Sequence, residues 1–164
     1  MIYRVIFSSL LDRYLLFLSD EDGLRLLIRR SEKDVLSELE HLGSSKKGGL
    51  SEIVQDTKTY LEGRNVDFSR CKVDMERLTQ FERKVIEAVR AIPYGSICTY
   101  AELAELIGER RAYRAVGQAL GKNPAPIIIP CHRVVAKRGI GGYAWGIEMK
   151  KKLLALERGD ALAG

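Results

Sequence analysis

The sequence contains few of the residues that build disulfide frameworks and metal sites. Its 164 residues include three cysteines, Cys71, Cys98 and Cys131, and two histidines. The cysteines are odd in number, lie far apart and form no Cys-x-x-Cys pair, so we expect neither a disulfide framework nor a structural zinc ion. Unpaired cysteines are typical of proteins of the reducing cytoplasm. We expect Cys98 to be buried and Cys71 to lie in a linker.

Long apolar runs are also missing. None approaches the roughly 20 apolar residues that a membrane-spanning helix needs. Residues 1–10 alternate around Arg4 instead of forming the apolar stretch of a signal peptide. With 46% hydrophobic and 30% charged residues, the composition is typical of a soluble globular protein with one domain or two small ones. We therefore expect a cytoplasmic protein without a membrane partner.

A net positive charge is absent from the first half of the chain and concentrated in the second. Residues 1–75 carry 12 Lys and Arg against 13 Asp and Glu, whereas residues 76–164 carry 15 against 9. A basic half indicates a polyanionic partner such as nucleic acid. A solvated basic surface without a partner explains the charge alone about as well.

The first half predicts a small sheet followed by helices. Short apolar segments separated by turn residues indicate three strands, at Ile2–Ser8, 14–19 and Leu24–Arg29. Ser31, followed by acidic residues, predicts a helix that ends near Gly43. Residues 43–49 have the composition of a mobile loop. A second helix follows at about 50–62, and residues 65–75 read as an extended linker.

The second half has a helical pattern. A helix opening near Thr79 places apolar residues on one face, and Pro93 and Gly95 end it with a turn. Thr99 and Glu102 form a capping box that starts a helix running to about residue 108. Another helix is predicted at about 110–120. Two short helices joined by a tight turn indicate a helix-turn-helix, although hairpins of helices without a DNA function are also common.

The segment Pro130-Cys131-His132-Arg133 carries the most chemical information. A thiol acts as a nucleophile when neighbouring cationic or proton-accepting groups help to remove its proton. His132 and Arg133 are such groups by type. Successive side chains of an extended chain point to opposite faces, however, so adjacency does not ensure contact. A buried structural cysteine beside a core histidine is the simpler interpretation of this segment taken alone.

Further segments stand in a fixed order around this one: Arg114-Ala115-Val116-Gly117, Asn123-Pro124, Ile129-Pro130-Cys131-His132-Arg133-Val134 and Gly141-Gly142-Tyr143. Together they resemble the O6-alkylguanine-DNA alkyltransferase family. The resemblance is dense across about residues 81–157 and covers the first half only in length and strand-helix pattern. It implies an α/β N-terminal domain with a small antiparallel sheet at residues 1–75. A mainly α, winged helix-turn-helix domain at residues 76–164 would carry DNA binding and catalysis.

The resemblance implies DNA repair by direct, irreversible transfer of an alkyl group from O6-alkylguanine to Cys131, with O4-alkylthymine as a further candidate substrate. His132 matches the general base, which reaches the thiol through a water molecule, and Glu157 matches the carboxylate that orients it. Tyr100 matches the donor to N3 of the departing base, and Asn123 the turn residue that ties the recognition helix to the site. Simpler interpretations are an exposed helix-end Glu157, a packing Tyr100 and a helix-ending Asn123.

The resemblance also implies double-stranded DNA as the partner of a monomer that needs no cofactor or metal. The target base is extruded from the duplex, and the helix at 112–120 enters the minor groove with Arg114 filling the gap. Small residues on this helix would equally suit packing against the protein core. The residues expected at the DNA are Arg110, Arg111, Arg114, Ala115, Gly117, Lys122 and Arg133.

A loop at 139–146 matches the family's lesion-binding loop. The residues expected to line the substrate pocket are Pro126, Val134, Gly142, Tyr143, Ala144 and Trp145. The chain departs from the family pattern at Ala144, where serine is frequent, and at Trp145, where a small residue is frequent. Trp145 would either close the pocket to bulky alkyl groups or stack on an aromatic one.

Three rival functions fit part of the pattern. An alkyltransferase-like protein that binds the lesion without repairing it would lack the cysteine of this motif, whereas Cys131 is present. A helix-turn-helix transcription factor would leave the Pro-Cys-His-Arg segment unexplained. A Cys-His hydrolase would need an oxyanion hole and a substrate cleft, which the sequence does not identify.

Overall fold

Short apolar segments fold the start of the chain into three antiparallel strands. The structure, a computed structural model, describes residues 1–160. Strands β1 (Ile2–Ser8), β2 (Arg13–Ser19) and β3 (Leu24–Arg29) confirm the predicted ones, with β2 beginning one residue earlier. β2 lies between the other two, and its residues 15–18 are all buried because both faces of the sheet are covered.

The loop predicted at 43–49 contains an ordered edge strand, which corrects two expectations. Strand β4 (Lys46–Lys47) pairs parallel with β1, so the sheet order is β3-β2-β1-β4 and the sheet is mixed rather than purely antiparallel. The amide of Lys46 donates to Met1 and that of Gly48 to Tyr3, both at 3.2 Å. A two-residue strand with exposed lysines has no periodicity that could predict it.

Two helices complete the first half. Helix α1 (Glu32–Leu42) begins at a capping box between Ser31 and Asp34 and ends at Gly43, as predicted. Helix α2 (Ser51–Leu61) buries Thr57 and Tyr60. The linker that follows is held in place, because the Arg90 guanidinium donates to three of its carbonyls, those of residues 68, 69 and 71.

Helices dominate the second half. Helix α4 (Tyr100–Leu106) starts at the capping box expected at Thr99, and helix α3 (Gln80–Arg90) starts at a capping box of Thr79 and Glu82 that was not predicted. Helix α5 (Tyr113–Leu120) begins three residues later than predicted, so residues 110–112 belong to the turn before it. After α5 come a 3-10 turn (Cys131–Arg133), strand β6 (Val134–Val135) and helix α6 (Ile147–Arg158). Strand β5 (Cys98–Thr99), which lies between α3 and α4, pairs in parallel with β6.

One continuous core joins the two halves. Buried side chains of β2, β3 and α2 belong to the same apolar cluster as those of α3, α4, α5 and α6. A smaller cluster under α1 contains Leu16, Leu18 and Val35. No helix within residues 1–160 combines the length and the apolarity needed to cross a membrane.

Candidate active site around Cys131

A tight turn before Cys131 sets the position of the thiol. The amide of Ile129 donates to Ala125 at 2.8 Å, and Ile127 adopts a φ of 76°, which is unusual for a β-branched residue. Pro126, which was expected to line the substrate pocket, is buried inside this turn. The chain then enters the 3-10 turn with the Cys131 side chain 4% exposed.

Asn123 connects the end of α5 to the thiol. Its side-chain amide donates to the carbonyl of Ile129 at 2.8 Å and to Sγ of Cys131 at 3.0 Å, and its oxygen accepts from the amide of Ala125. Burial raises the pKa of the Cys131 thiol to about 11, while the Asn123 bond and the nearby charge of Lys150 act in the opposite direction. The thiol is therefore protonated at neutral pH and needs a base to become a nucleophile.

His132 lies fully buried with one ring nitrogen bonded and the other free. Its Nε2 is 2.6 Å from Oε1 of Glu157, and its Nδ1 has no hydrogen-bond partner among residues 1–160. Burial lowers the pKa of His132, although Glu157 opposes that shift, so the ring is neutral. The single ring proton is on Nε2, which faces the carboxylate. Nδ1 therefore carries a lone pair that can accept a proton.

Glu157 is an ionised carboxylate surrounded by donors. Tyr60 donates its hydroxyl to Oε1 at 2.6 Å, Arg133 donates at 2.9 Å to each oxygen, and the amide of Gly95 donates to Oε2 at 3.1 Å. Burial by itself raises the pKa of Glu157, but these donors and His132 outweigh it and hold that pKa at about 2. A permanently charged carboxylate can orient His132 and stabilise its protonated form.

Arg133 does not lie where it was expected. The side chain was predicted to contact DNA, but the residue is 8% exposed, with its Nη1 donating to the carbonyl of Ile92 at 2.5 Å and the rest of the guanidinium on Glu157. The 3-10 turn directs it inward, so it is the counter-ion of Glu157 rather than a phosphate contact. Sequence adjacency to Cys131 could not show this direction.

A cleft of 460 Å³ opens over the thiol between α5 and the loop at 139–146. Most of its surface is apolar, with Arg114 at its edge. Its lining includes most of the residues predicted for the substrate pocket, together with Tyr113, Leu120 and Gly121, which the sequence did not single out. The lining residues are Tyr100, Tyr113, Arg114, Gly117, Leu120, Gly121, Cys131, Gly142, Tyr143, Ala144 and Trp145.

Aromatic rings form two walls of this cleft. Tyr100 donates its hydroxyl to Gly142 at 3.3 Å, and burial raises the pKa of Tyr100, so the hydroxyl stays protonated and can donate. A methyl group at Gly141 would lie 2.8 Å from the Tyr100 ring, which explains the glycine there. Tyr143 and Trp145 meet edge to face at 5.2 Å. The Tyr143 hydroxyl is buried near the thiol with no hydrogen-bond partner of good geometry within residues 1–160.

Lys150 supports the loop at 139–146 from its buried side. The residue is fully buried, and its ammonium group donates to the carbonyls of Val134 at 2.6 Å and Gly142 at 2.9 Å. Burial lowers its pKa to about 8. Val134 itself is buried in β6 and presents its backbone, not its side chain, to this region. Lys150 could not be predicted from the sequence, because it begins a run of three lysines that is typical of a solvated helix face.

Basic residues lie on the exposed face of α5 and in the turns directly before and after it. Arg111, Arg114 and Ala115 are exposed. Arg110 pairs with Glu105 on the surface at 2.7 Å, and the exposed Lys122 pairs with the buried Glu82 at 2.5 Å. The face therefore presents exposed cations beside the opening that leads to Cys131. Within residues 1–160 no group of three His, Cys, Asp or Glu side chains could hold a metal ion.

Known proteins share this sequence pattern. A family model described as the DNA-binding domain of 6-O-methylguanine DNA methyltransferase matches residues 80–159. A methylated-DNA–protein-cysteine methyltransferase of Sulfolobus acidocaldarius is 48% identical over 98 residues, which cover 60% of this chain and 61% of that protein. One of Methanopyrus kandleri is 42% identical over 108 residues, covering 66% and 80%. The alignments thus span less than two thirds of the Sulfolobus relative.

Solved structures share the fold over nearly the whole chain. The OGT of Mycobacterium tuberculosis, in complex with DNA, superimposes with a TM-score of 0.81 at 32% identity, covering 97% of this chain and 94% of that one. The O6-methylguanine-DNA methyltransferase of Pyrococcus kodakaraensis superimposes with a TM-score of 0.69 at 31% identity, covering 95% and 98%. Both halves of the chain are therefore similar to these proteins.

Proposed function

The chain belongs to the O6-methylguanine DNA methyltransferase family, and from that membership and the geometry around Cys131 we propose that it repairs DNA by moving an alkyl group from O6 of guanine onto its own cysteine. The observation that carries the proposal is the Cys131 thiol on the floor of an apolar cleft, next to a buried His132–Glu157 pair. O4-alkylthymine is a further candidate substrate. The protein would act as a monomer, without a cofactor, in the reducing cytoplasm.

The proposed reaction is a displacement at the alkyl carbon. The thiol of Cys131 gives its proton to Nδ1 of His132 through a water molecule, and Glu157 stabilises the imidazolium that results. The sulfur then forms a bond to the alkyl carbon while the bond from that carbon to O6 breaks. Tyr100 donates a hydrogen bond to N3 of the departing guanine, which takes up a proton in place of the alkyl group. The thioether is stable, so each molecule reacts once.

The proposed DNA-binding surface is the winged helix-turn-helix of residues 76–164. Helices α4 and α5 form its two helices, and α5 enters the minor groove, whose degenerate pattern suits a protein that must act in any sequence. Arg114 lies at the mouth of the cleft, where it can occupy the space that the flipped base leaves. Arg110, Arg111 and Lys122 contact phosphates, and residues 1–75 form an α/β domain that supports this surface.

The cleft proposed to receive the flipped base favours small alkyl groups. Gly142 allows close approach of the base, Ala144 offers its backbone amide to O6, and Tyr143 forms one wall. Trp145 lies in the same lining, and its ring packs against the ring of Tyr143. Bulky groups have to displace the Trp145 ring or stack on it.

Intact-protein mass spectrometry tests the proposal directly. We expect incubation with a duplex that contains one O6-methylguanine to add one methyl group per molecule, and Cys131→Ala to gain none. The gain should stop at one methyl even with excess DNA, because the thioether does not turn over. Tight lesion binding without a mass gain would indicate a recognition protein. The absence of both lesion binding and mass gain would refute the proposal. Hydrolysis of small esters would then support the hydrolase alternative.

A further inference from the structure

Tyr60 reaches the buried network from the first half of the chain. It lies near the end of α2, is completely buried, and donates its hydroxyl to Oε1 of Glu157 at 2.6 Å. The same hydroxyl oxygen is 3.2 Å from Nε2 of His132. These partners lie 97 and 72 residues further along the sequence. No other side chain of residues 1–75 makes a hydrogen bond to Glu157 or His132 in the described structure.

The Tyr60 ring is fixed by its neighbours, so the hydroxyl cannot turn away. Phe68 and Tyr94 both pack edge-on against it, with ring centroids 6.0 Å away. Burial, and to a lesser extent the charge of Glu157, raise the pKa of Tyr60 well above its ordinary value. The hydroxyl is therefore always protonated and, facing a carboxylate, acts as a donor.

Tyr60 and His132 compete for one oxygen atom. Oε1 of Glu157 accepts from the Tyr60 hydroxyl and from His132 Nε2 at the same distance, 2.6 Å. An oxygen that already accepts one strong hydrogen bond has less negative charge to offer a second donor. The Tyr60 hydroxyl thus limits how strongly Glu157 attracts the proton on His132. The titratable and charged groups that face this pair are Tyr94, Cys131, Arg133, Tyr143 and Lys150.

We propose that Tyr60 is a positioning residue of the alkyl-acceptor site, whose hydroxyl orients Oε1 of Glu157 and sets how readily His132 takes the proton of the Cys131 thiol. The first half of the chain then contributes to the chemistry rather than only to the fold. This role deepens the alkyl-transfer function proposed above and rests on it, but its effect on the thiol can be measured without DNA.

Tyr60→Phe tests the role, because phenylalanine keeps the packed ring and removes only the hydroxyl. Glu157 then attracts the His132 proton more strongly, so His132 becomes more basic and the thiol loses its proton at lower pH. The rate at which iodoacetamide modifies Cys131 is measured across pH by peptide mass mapping. We expect the midpoint, the pH at which this rate is half-maximal, to fall by about half a pH unit to one pH unit. An unchanged or raised midpoint would overturn the proposal.

Thr57→Val is the matched control. Thr57 lies on the same helix, is completely buried, and its hydroxyl donates to the carbonyl of Ile53 at 2.7 Å, away from the site. Loss of this hydroxyl should lower the melting temperature slightly and leave the midpoint in place. A shift of the same size in Thr57→Val would show that packing of α2, and not the Tyr60 hydroxyl, moves the midpoint, and would also overturn the proposal.

Two further measurements separate the proposals and guard against a variant that fails to fold. If the native protein gains no methyl group from DNA, the alkyl-transfer proposal fails, while the iodoacetamide midpoints still decide the role of Tyr60. In the native protein, proton NMR should show a slowly exchanging Tyr60 hydroxyl with a cross-peak to the His132 ring. The absence of that signal would contradict the hydrogen bond on which the role depends.

Discussion

The Cys131 thiol must lose its proton before it can attack carbon, yet its surroundings favour the neutral form. Burial raises its pKa to about 11, against the smaller opposing effects of Asn123 and Lys150. A protein that reacts once gains from a thiol that is protonated at rest, because thiolates are the forms that oxidants attack. We therefore expect the resting thiol to stay protonated at neutral pH and to resist oxidation.

Single residues also differ in how well the sequence predicted the contacts of their side chains. Cys131, His132 and Arg133 are consecutive, but the thiol faces the cleft whereas the other two side chains point to Glu157. The sequence pattern selected Glu157 through its resemblance to a family and had no signal for Tyr60. A tyrosine on an amphipathic helix is by default a packing residue, so only its tertiary neighbours reveal its hydroxyl bond.

The charge of Glu157 predicts a pH-dependent contribution to stability. Its pKa falls from 4.5 to about 2 on folding, so the folded state favours the ionised form. That contribution is complete above pH 4.5 and is lost as the pH falls toward 2. In Glu157→Gln the contribution is absent, and Arg133 keeps a buried charge without its partner. We expect the variant to be less stable by about 3–5 kcal/mol at pH 6, with the difference shrinking below pH 4.5.

Thermal unfolding followed by circular dichroism between pH 2 and pH 7 measures this difference. Other carboxylates with lowered pKa values, such as Glu82 and Glu102, are present in both proteins and cancel in the comparison. Glu148→Gln serves as a control, because Glu148 pairs with Lys151 on the surface and should matter little at any pH. A gap between native protein and Glu157→Gln that stays constant down to pH 2 would contradict the expectation.

Helix α5 shows how an element combines two environments. Val116, Ala119 and Leu120 are buried against the other helices, whereas Arg114 and Ala115 are exposed on the opposite face. The helix is where it was predicted, starting three residues late, but the sequence left open whether its small residues face the core or DNA. Arg111 lies in the turn just before it, exposed and without an acidic partner among residues 1–160.

The salt dependence of DNA binding tests the proposed role of this turn. A side chain that contacts a phosphate displaces counterions, so Arg111→Ala should weaken binding and reduce the slope of log affinity against log salt by about 1. Binding to an O6-methylguanine duplex would be measured by fluorescence anisotropy in the non-reacting Cys131→Ala background. Arg64→Ala is the control, since Arg64 is exposed in the first half and pairs with Glu62. Equal slopes for all three proteins would rule out a phosphate contact at Arg111.

The molecule as a whole is organised around one core. Apolar side chains such as Phe17 and Leu26 in the sheet pack in the same cluster as Val85 of α3 and Leu153 of α6. The amide of Leu26 also donates to the carbonyl of Pro124 at 2.9 Å, next to Asn123 of the site. The sheet and the active-site turn are thus joined by a backbone hydrogen bond as well as by packing.

A shared core predicts cooperative unfolding. Trp145 is the single tryptophan and reports on the second half, whereas far-ultraviolet circular dichroism reports on all helices and strands. We expect urea unfolding curves from the two signals to coincide. Leu26→Ala in the sheet should destabilise both by the same amount, about 2–5 kcal/mol. Separate midpoints, or a Leu26→Ala effect seen by circular dichroism but not by Trp145 fluorescence, would indicate two independent units.

The sequence alone determined the features that depend on local interactions. Short apolar segments separated by turn residues predicted the three long strands, the capping box at Thr99 predicted one helix start, and an ordered set of motifs pointed to Cys131 as the nucleophile. These features follow from hydrogen bonds and packing within a few residues. The tertiary structure alone decided that Tyr60 meets Glu157, that Arg133 turns inward, that Lys150 supports the loop, and that Lys46–Lys47 extend the sheet. Each of these contacts depends on groups that the fold of the whole chain brings together, so local sequence patterns cannot predict them.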